Sequence, residues 1–350
     1  MMKVAVLAIT KNGKKIGQRL TEAFPNMTLY SPKKLQGPES GIMWYDESTT
    51  QMAGELFTKY DGIVYLFSLG AVIRLIAPHL RDKKSDPAVI VIDDRLCFVI
   101  SVLSGHLGGA NALARKIAER MGATPVITTA ADVNKTIAVD LVGRDLGWVI
   151  DDDVNVTRIS AYMINQEPIG VFQDAGSKEW WPRPLPSNVT IYDTLESLTQ
   201  SNSKGYLIIT DRIMPDDIAD KSVIYRPPSL VVGVGLHYNT TADTIQKGIS
   251  QSLKKYNLCI KCIAKIASIE KPRPIQGIQD ASDMLNVPLQ LVDRGDLARI
   301  PIPNPSGVVE EFEGTPSVSE AAAILVSNGN LIVEKQKFPP DLTVAVARIL

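Results

Sequence analysis

The sequence predicts an α/β protein of several domains, built on mainly parallel sheets in three layers. Three observations lead there. Apolar strand runs alternate with amphipathic helical runs through the first 130 residues. Those strands are apolar on both faces, as in a parallel sheet covered by helices on either side. At 350 residues the chain is also longer than a single ordinary core requires, which gives two or three domains.

Taken in order, "KVAVLAI" reads as a strand, "KKIGQRLTEAF" as a helix and "MTLYS" as a strand. A polar stretch rich in Gly and Pro leads to helical "MAGELFTKY" and the strand "GIVYLFS". Helical "GAVIRLIAPHL" follows, then the strands "AVIVID" and "CFVIS", the helix within "VLSGHLGGANALARKIAERMG", and the strand "TPVITT". These make an N-terminal α/β domain, residues 1–130. The signal then weakens. "TIAVDLVGRDLGW" and "VNVTRISAYMIN" read as helical, "PIGVFQ", "VTIYD" and "YLIITD" as short strands, and "WWPRPLPSN" as turn chemistry. This is a small middle α/β domain, residues 131–228, closed by the linker "SVIYRPPS". A C-terminal α/β domain, residues 229–350, opens with the strand "LVVGVG", a glycine turn and the helix "TADTIQKGISQSLKKY". Further strands and helices follow, including "CIAKIASI", "GTPSVSEAAAILVS" and "LTVAVARI". There is no internal repeat.

Composition narrows the function. A net charge of −1 gives no electrostatic case for nucleic acid or an anionic membrane. The longest apolar run is interrupted by Arg74, and no run reaches the roughly 20 residues that span a bilayer. "MMKVAVLAIT" reads as a strand rather than a signal peptide, so a cytoplasmic location is expected. Three cysteines make no disulfide framework. Cys259 and Cys262 have metal-pair spacing, but no second Cys or His pair completes a tetrahedral site, so no metal is assigned.

The loop "SGHLGGAN", residues 104–111, is the first candidate site. It lacks the spacings of the dinucleotide fingerprint and the P-loop. Ser104 and the glycines leave backbone N–H groups at a helix N-terminus, where the dipole favours a carboxylate or phosphate. Gly105, Gly108 and Gly109 allow close approach of a ligand to the main chain. Asn111 belongs to the same contact set, and His106 adds a group that moves protons near neutral pH. The bland reading makes Ser104 an N-cap and His106 a surface residue. The loop follows "CFVIS", which places it beyond the carboxyl ends of the sheet, where α/β ligands bind.

Arg74 is the second candidate. A charge inside an apolar helix faces either a ligand carboxylate or an internal acid, Asp86 or Asp93. The third is "GVGLHYNTTADTI", with Gly233 and Gly235 after a strand, His237 beside them, and Thr240 or Thr241 as N-cap. The fourth is "GTPSVSEAAAIL", with Gly314, Ser317 and Glu320. Glu320 either completes a capping box with Ser317 or stands as a carboxylate at a ligand mouth shared with the Gly233 corner. No nucleophile–base–orienter set is visible. The residues alone therefore give an α/β enzyme or binding protein for a polyanionic small molecule.

The stretch from "RLIAPHLRDKKSDPAVIVID" through "CFVISVLSGHLGGANALARKIAERMGATPVITTAADVNKTIAVD" resembles the CbiG family of cobalamin biosynthesis. "LVVGVG", "IASIEKP" and "GTPSVSEAAAIL" are similar to its C-terminal domain, which also occurs alone as a CobE-type protein. The resemblance covers essentially the whole chain. It implies cobalt-precorrin-5A hydrolase activity in anaerobic corrin synthesis: water opens the ring-A δ-lactone, and the two-carbon fragment leaves as acetaldehyde. The family's C-terminal glycine turn continues with a basic pair, whereas this chain reads "LHYNTT" and lacks those cations.

The implied step requires a base and donors to a developing oxyanion. His106 is the expected base, the N–H groups of Gly108 and Gly109 the expected donors, and Glu320 the base next in line. Substrate contacts are expected from Ser104, Gly105, Gly108, Gly109, Asn111, Arg74, Gly233, Gly235, His237, Thr240, Gly314 and Ser317. No cofactor of the protein's own is expected, since cobalt arrives inside the substrate. Expected partners are that substrate, a second copy of the chain, and corrin-pathway enzymes that receive the product. Two other readings stay open: a non-catalytic corrinoid carrier and an α/β sugar-phosphate-binding enzyme.

Overall fold

A computed structural model describes residues 2–82 and 84–349. The chain forms two compact units, Met1–Leu141 and Val142–Leu350.

The first unit is built on seven strands: β1 (Val4–Leu7), β2 (Met27–Pro32), β3 (Ile42–Tyr45), β4 (Gly62–Tyr65), β5 (Ala88–Ile92), β6 (Phe98–Leu103) and β7 (Thr124–Val126). Their order across the sheet is β3-β2-β1-β4-β5-β6-β7. From β3 to β5 all neighbours are parallel. Alternation along β1 divides the core. Val4 and Val6 face Ile16 and Leu20 of the helix Lys11–Ala23 and Ile117 of the helix Ala110–Met121. Ala5 and Leu7 face Leu56 of the helix Thr49–Lys59 and Val72 and Ile76 of the helix Leu69–Ile76. Both sheet faces are therefore covered, which is why these strands read as continuous apolar runs.

One strand reverses. β6 pairs antiparallel with β5, and β7 pairs parallel with β6. The connection, residues 93–97, is far too short for a parallel crossover. The Asp93 carboxylate fastens this turn by accepting from the N–H groups of Arg95 and Phe98, at 3.0 and 2.5 Å. The expected position of the 104–111 loop is corrected accordingly. It stands at the carboxyl ends of β6 and β7, which is the edge where β1, β4 and β5 begin. Ser104 Oγ donates to the Asp86 carbonyl, two residues ahead of β5, at 2.9 Å.

Residues 131–141, read from sequence as the start of the middle domain, belong to the first unit. Ile137 and Val139 anchor them as buried side chains.

The second unit holds two five-stranded sheets. One contains β8 (Val149–Ile150), β9 (Ile169–Gln173), β10 (Val189–Tyr192), β11 (Gly205–Ile209) and β12 (Ser222–Arg226), in the order β10-β9-β11-β12-β8. The expected linker "SVIYRPPS" is thus mostly β12, a strand buried along its whole length. The other contains β13 (Leu230–Leu236), β14 (Ile263–Ile269), β15 (Leu289–Val292), β16 (Asn330–Phe338) and β17 (Leu342–Arg348), in the order β15-β14-β13-β17-β16. Here β13, β14 and β15 are parallel, and the β16–β17 hairpin adds antiparallel. Buried Arg226 ties the first of these sheets together, and buried Asp211 joins the two. Arg226 bonds Asp151 Oδ2 at 2.6 Å, and Arg348 grips Asp211 through bonds of 2.7 and 2.6 Å. Among the described residues no helix is long and apolar enough to cross a membrane.

Candidate functional site

The site of the first unit grows from the two parallel strands β6 and β7. Parallel neighbours linked by a helix present their carboxyl-end loops side by side. Here those loops are residues 104–109 and 127–129, the second leading directly into a short helix.

The first loop closes on itself. The Ala110 N–H donates to the Ser104 carbonyl at 3.1 Å, the Asn111 N–H to Gly105 at 3.0 Å, and the Gly109 N–H to His106 at 3.0 Å. Two glycines are required by this packing. A Cβ on Gly108 would stand 2.3 Å from Ser104 Cβ, and Gly109 starts the helix with φ +82°. Two expectations are corrected. Ser104 is not the N-cap, because Gly109 occupies that position. The Gly109 amide is not an oxyanion donor, because it is spent inside the loop. The Gly109, Ala110 and Asn111 amides are all spent inside the loop, which removes three donors from the phosphate cradle that a sugar-phosphate enzyme would need.

What the loop presents is His106. Its Nε2 lies 3.2 Å from Asp132 Oδ2, and its Nδ1 lies 3.3 Å from Asp140 Oδ1. The hydrogen bond to Asp140 raises its pKa above the ordinary 6.5; burial opposes this, and the charges of Asp140 and Asp132 add to it. Asp132 sits just inside the short helix Ala130–Val133 that follows β7. Burial works against its charge, but hydrogen bonds from Arg115 and Asn111 and the charges of Arg115 and His106 outweigh it, so its pKa falls below 3.8.

Asn111 organises this cluster. It is buried, accepts from Ser101 Oγ at 2.7 Å, and donates to Thr129 Oγ1 at 2.9 Å and Asp132 Oδ2 at 2.6 Å. Arg115, one helical turn on and half exposed, bonds the other oxygen of Asp132. Two carboxylates are thereby balanced by an imidazole and a guanidinium at a partly open surface. Such an arrangement can hold, give and take a proton at His106 Nε2, with Asp140 orienting the ring through Nδ1.

Sequence reading found His106 and Asn111 and missed Asp132, Asp140, Arg115, Ser101 and Thr129. The carboxylates lie in "TTAADVNKTIAVD", directly after a strand, and that position was the available signal.

Arg74 is exposed, and its guanidinium bonds the Gly70 carbonyl of its own helix at 2.9 Å. Neither acid expected as an internal partner takes it: Asp86 accepts from the Arg81 N–H, and Asp93 holds its own turn. Its position carries no burial cost.

The other expected contacts lie in the second unit, and several are structural. Gly233 is buried under the helix Val318–Ser327, where a Cβ would stand 1.9 Å from the Ser319 carbonyl. Thr240 is also buried and bonds the Asp341 carbonyl at 3.2 Å, while Thr241 is the N-cap. Gly314 ends the helix Gly307–Glu313 with φ +67°. Glu320 is fully buried; its Oε1 accepts from Asn304 Nδ2 at 2.8 Å and from the Lys335 N–H at 3.1 Å. It makes no capping box with Ser317, and it does not line the adjacent cavity. Its expected roles as reserve base and as a carboxylate at a ligand mouth are therefore corrected: it pins β16 to the helix. Gly235, His237 and Ser317 do line that cavity, of about 220 Å³.

Three family models match the chain in succession: cobalamin synthesis G N-terminal over residues 51–132, cobalamin biosynthesis central region over 137–227, and cobalamin synthesis G C-terminus over 230–347. A cobalt-precorrin-5A hydrolase of Priestia megaterium is 37% identical over 99% of this chain and 94% of its own. Another, from Salmonella typhimurium, is 29% identical over 95% of this chain and 93% of its own. The crystal structure of CobE, a protein from the cobalamin biosynthetic pathway, covers 35% of this chain and 96% of its own at 24% identity, with a TM-score of 0.33.

Proposed function

Since the chain belongs to the cobalamin synthesis G family, we propose that it is a cobalt-precorrin-5A hydrolase that opens the ring-A δ-lactone and releases the two-carbon fragment as acetaldehyde. The observation that supports a catalyst over a carrier is His106, held between Asp132 and Asp140 on a partly open surface. A binding surface for carboxylate arms needs cations; it has no use for an imidazole gripped by two acids.

In this reading Asp140 fixes the imidazole and stabilises its charged form. Asp132 releases Nε2 when substrate enters, and neutral His106 takes a proton from the water that attacks the lactone carbonyl. Collapse of the tetrahedral intermediate breaks the ester C–O bond, and His106 returns its proton to the departing alkoxide, leaving the ring-A acetate and a hydroxyl on the extruded carbon. Loss of that hydroxyl proton, again to His106, forms the aldehyde C=O as the C–C bond to the macrocycle breaks. The macrocycle keeps that electron pair and takes up a proton. Arg115 is the donor beside this path and takes the place of the spent Gly109 amide, next to the Gly108 N–H, in facing the developing oxyanion. The chemistry draws on no metal or nucleotide of the protein's own, because cobalt enters within the substrate.

Incubation with cobalt-precorrin-5A and trapping of acetaldehyde tests the reading. Aldehyde formed in proportion to substrate consumed is the expected result. Tight corrinoid binding with no aldehyde would replace the hydrolase by a carrier.

A further inference from the structure

We propose that the second unit carries its own pocket for an aliphatic carboxylate, in which Ser317, the start of the helix Val318–Ser327, and Lys335 and Lys337 receive the anion. The cavity, of about 220 Å³, opens between β13, the hairpin β16–β17 and that helix. Its lining contains none of the residues of the His106 cluster.

Several independent observations point to an anion. Ser317 occupies the N-cap position, yet its hydroxyl accepts no bond from the helix. That hydroxyl is buried and lacks a partner among the described residues, while the residue lines the cavity. A buried, unpaired hydroxyl is costly unless something fills its bonding capacity. The ten-residue helix behind it adds its positive end. Gly235 lines the cavity beside Thr343, and a Cβ there would stand 2.5 Å from Thr343 Oγ1.

The cations come from an unexpected direction. "LHYNTT" lacks a basic pair, but Lys335 and Lys337 reach the cavity from β16, and Lys271 from the segment after β14. Lys271 is already committed to Glu313 Oε1 at 2.8 Å and the Leu236 carbonyl at 3.0 Å. Lys335 places its ammonium on a neutral carbonyl, that of Asn304, and Lys337 makes no ion pair among the described residues. Burial, together with the charge of Lys337, holds the pKa of Lys335 below its ordinary value despite Glu320. An anion between the two lysines would relieve that cost.

The walls select the class of anion. Ile269, Val309 and Leu342 are apolar and suit a methylene arm, which inorganic phosphate does not offer. The volume falls below the roughly 300 Å³ at which pockets for whole drug-sized ligands begin, so an arm enters rather than a macrocycle. Assigning that arm to a corrinoid acetate or propionate rests on the hydrolase reading; the carboxylate pocket itself does not.

The test is a titration of the isotope-labelled full chain with butyrate and with its neutral isostere butyramide, followed by NMR. Butyrate should shift the amide signals of Val318 and Ser319 saturably, and butyramide should not. Lys335→Met should weaken butyrate roughly tenfold, as expected for a lost charge-assisted bond, with unchanged melting. Ser317→Ala should weaken it less. Equal binding of acid and amide, or unchanged butyrate affinity in well-folded Lys335→Met, overturns the pocket. Butyrate binding by a protein that releases no acetaldehyde keeps the pocket and removes only the corrinoid assignment. Acetaldehyde release without butyrate binding removes the pocket and leaves the hydrolase.

Discussion

His106 presents Nδ1 to Asp140 Oδ1 at 3.3 Å, so the ring has a fixed orientation and a reactive Nε2. The same contact is the largest cause of its raised pKa. A base must be neutral to act, so the hydrolase rate should rise with pH through a pKa above 6.5. Asp140→Asn removes the charge that holds the proton. The rising limb should move to lower pH, towards the ordinary value, while the plateau rate falls roughly 10²-fold because the ring loses its orientation and its charge partner. A limb that does not move would mean that another group titrates there.

His106 also enters stability, with a sign that opposes its role in rate. A histidine whose pKa is raised on folding contributes stability that is full below its unfolded pKa and disappears as pH rises through the folded one. His106→Ala leaves Asp132 and Asp140 without their shared cation, for a cost of about 1–2 kcal/mol. The gap in melting temperature between the parent and this variant should therefore be wide at pH 6 and narrow at pH 9. A constant gap would show that the imidazole is not charged in the folded protein. Turnover should fall roughly 10²-fold or more at either pH.

Glu320 should behave as a pin. Asn304 Nδ2 and the Lys335 N–H both donate to its Oε1, a role that an amide oxygen also fills. Glu320→Gln should keep normal turnover. Glu320→Ala leaves two donors unpaired in a buried place and should lower stability by about 2–3 kcal/mol. Loss of turnover in Glu320→Gln at unchanged melting temperature would return the carboxylate to the chemistry.

How far the sequence shows all this differs from residue to residue. Val4 to Leu7 are apolar at every position because both sheet faces are covered, and that made the first sheet easy to read. The direction of β6 was also legible in principle, since only residues 93–97 separate it from β5 and no crossover fits that length. The strands themselves do not reveal it, because "AVIVID" and "CFVIS" look alike whichever way they run. The partners of His106 were beyond reach, because no local period links position 106 to 132 and 140; only the adjacency of β6 and β7 does. Gly233 illustrates the opposite error. A glycine after a strand suggests a ligand, but this one makes room for a helix.

The two arginines of the first unit should separate binding from chemistry. Arg115 bonds Asp132, which in turn holds His106 Nε2, so Arg115 belongs to the reacting cluster. Arg115→Ala should cut kcat by roughly 10²-fold, the usual cost of one donor to a developing oxyanion, with a smaller effect on KM. Arg74 stands in the last turn of a helix that leaves the carboxyl end of β4 and runs back towards the edge where the 104–109 loop stands. Its guanidinium is exposed and among the described residues holds only the Gly70 carbonyl, so a substrate carboxylate can take it at little cost. Arg74→Ala should raise KM by an amount equivalent to about 1–3 kcal/mol, leave kcat intact, and change stability by less than about 0.5 kcal/mol. Steady-state kinetics on both variants decides the matter. An Arg74→Ala enzyme with unchanged KM would take that helix out of the site, and an Arg115→Ala enzyme changed in KM alone would make Arg115 a binding residue and leave the oxyanion without its donor.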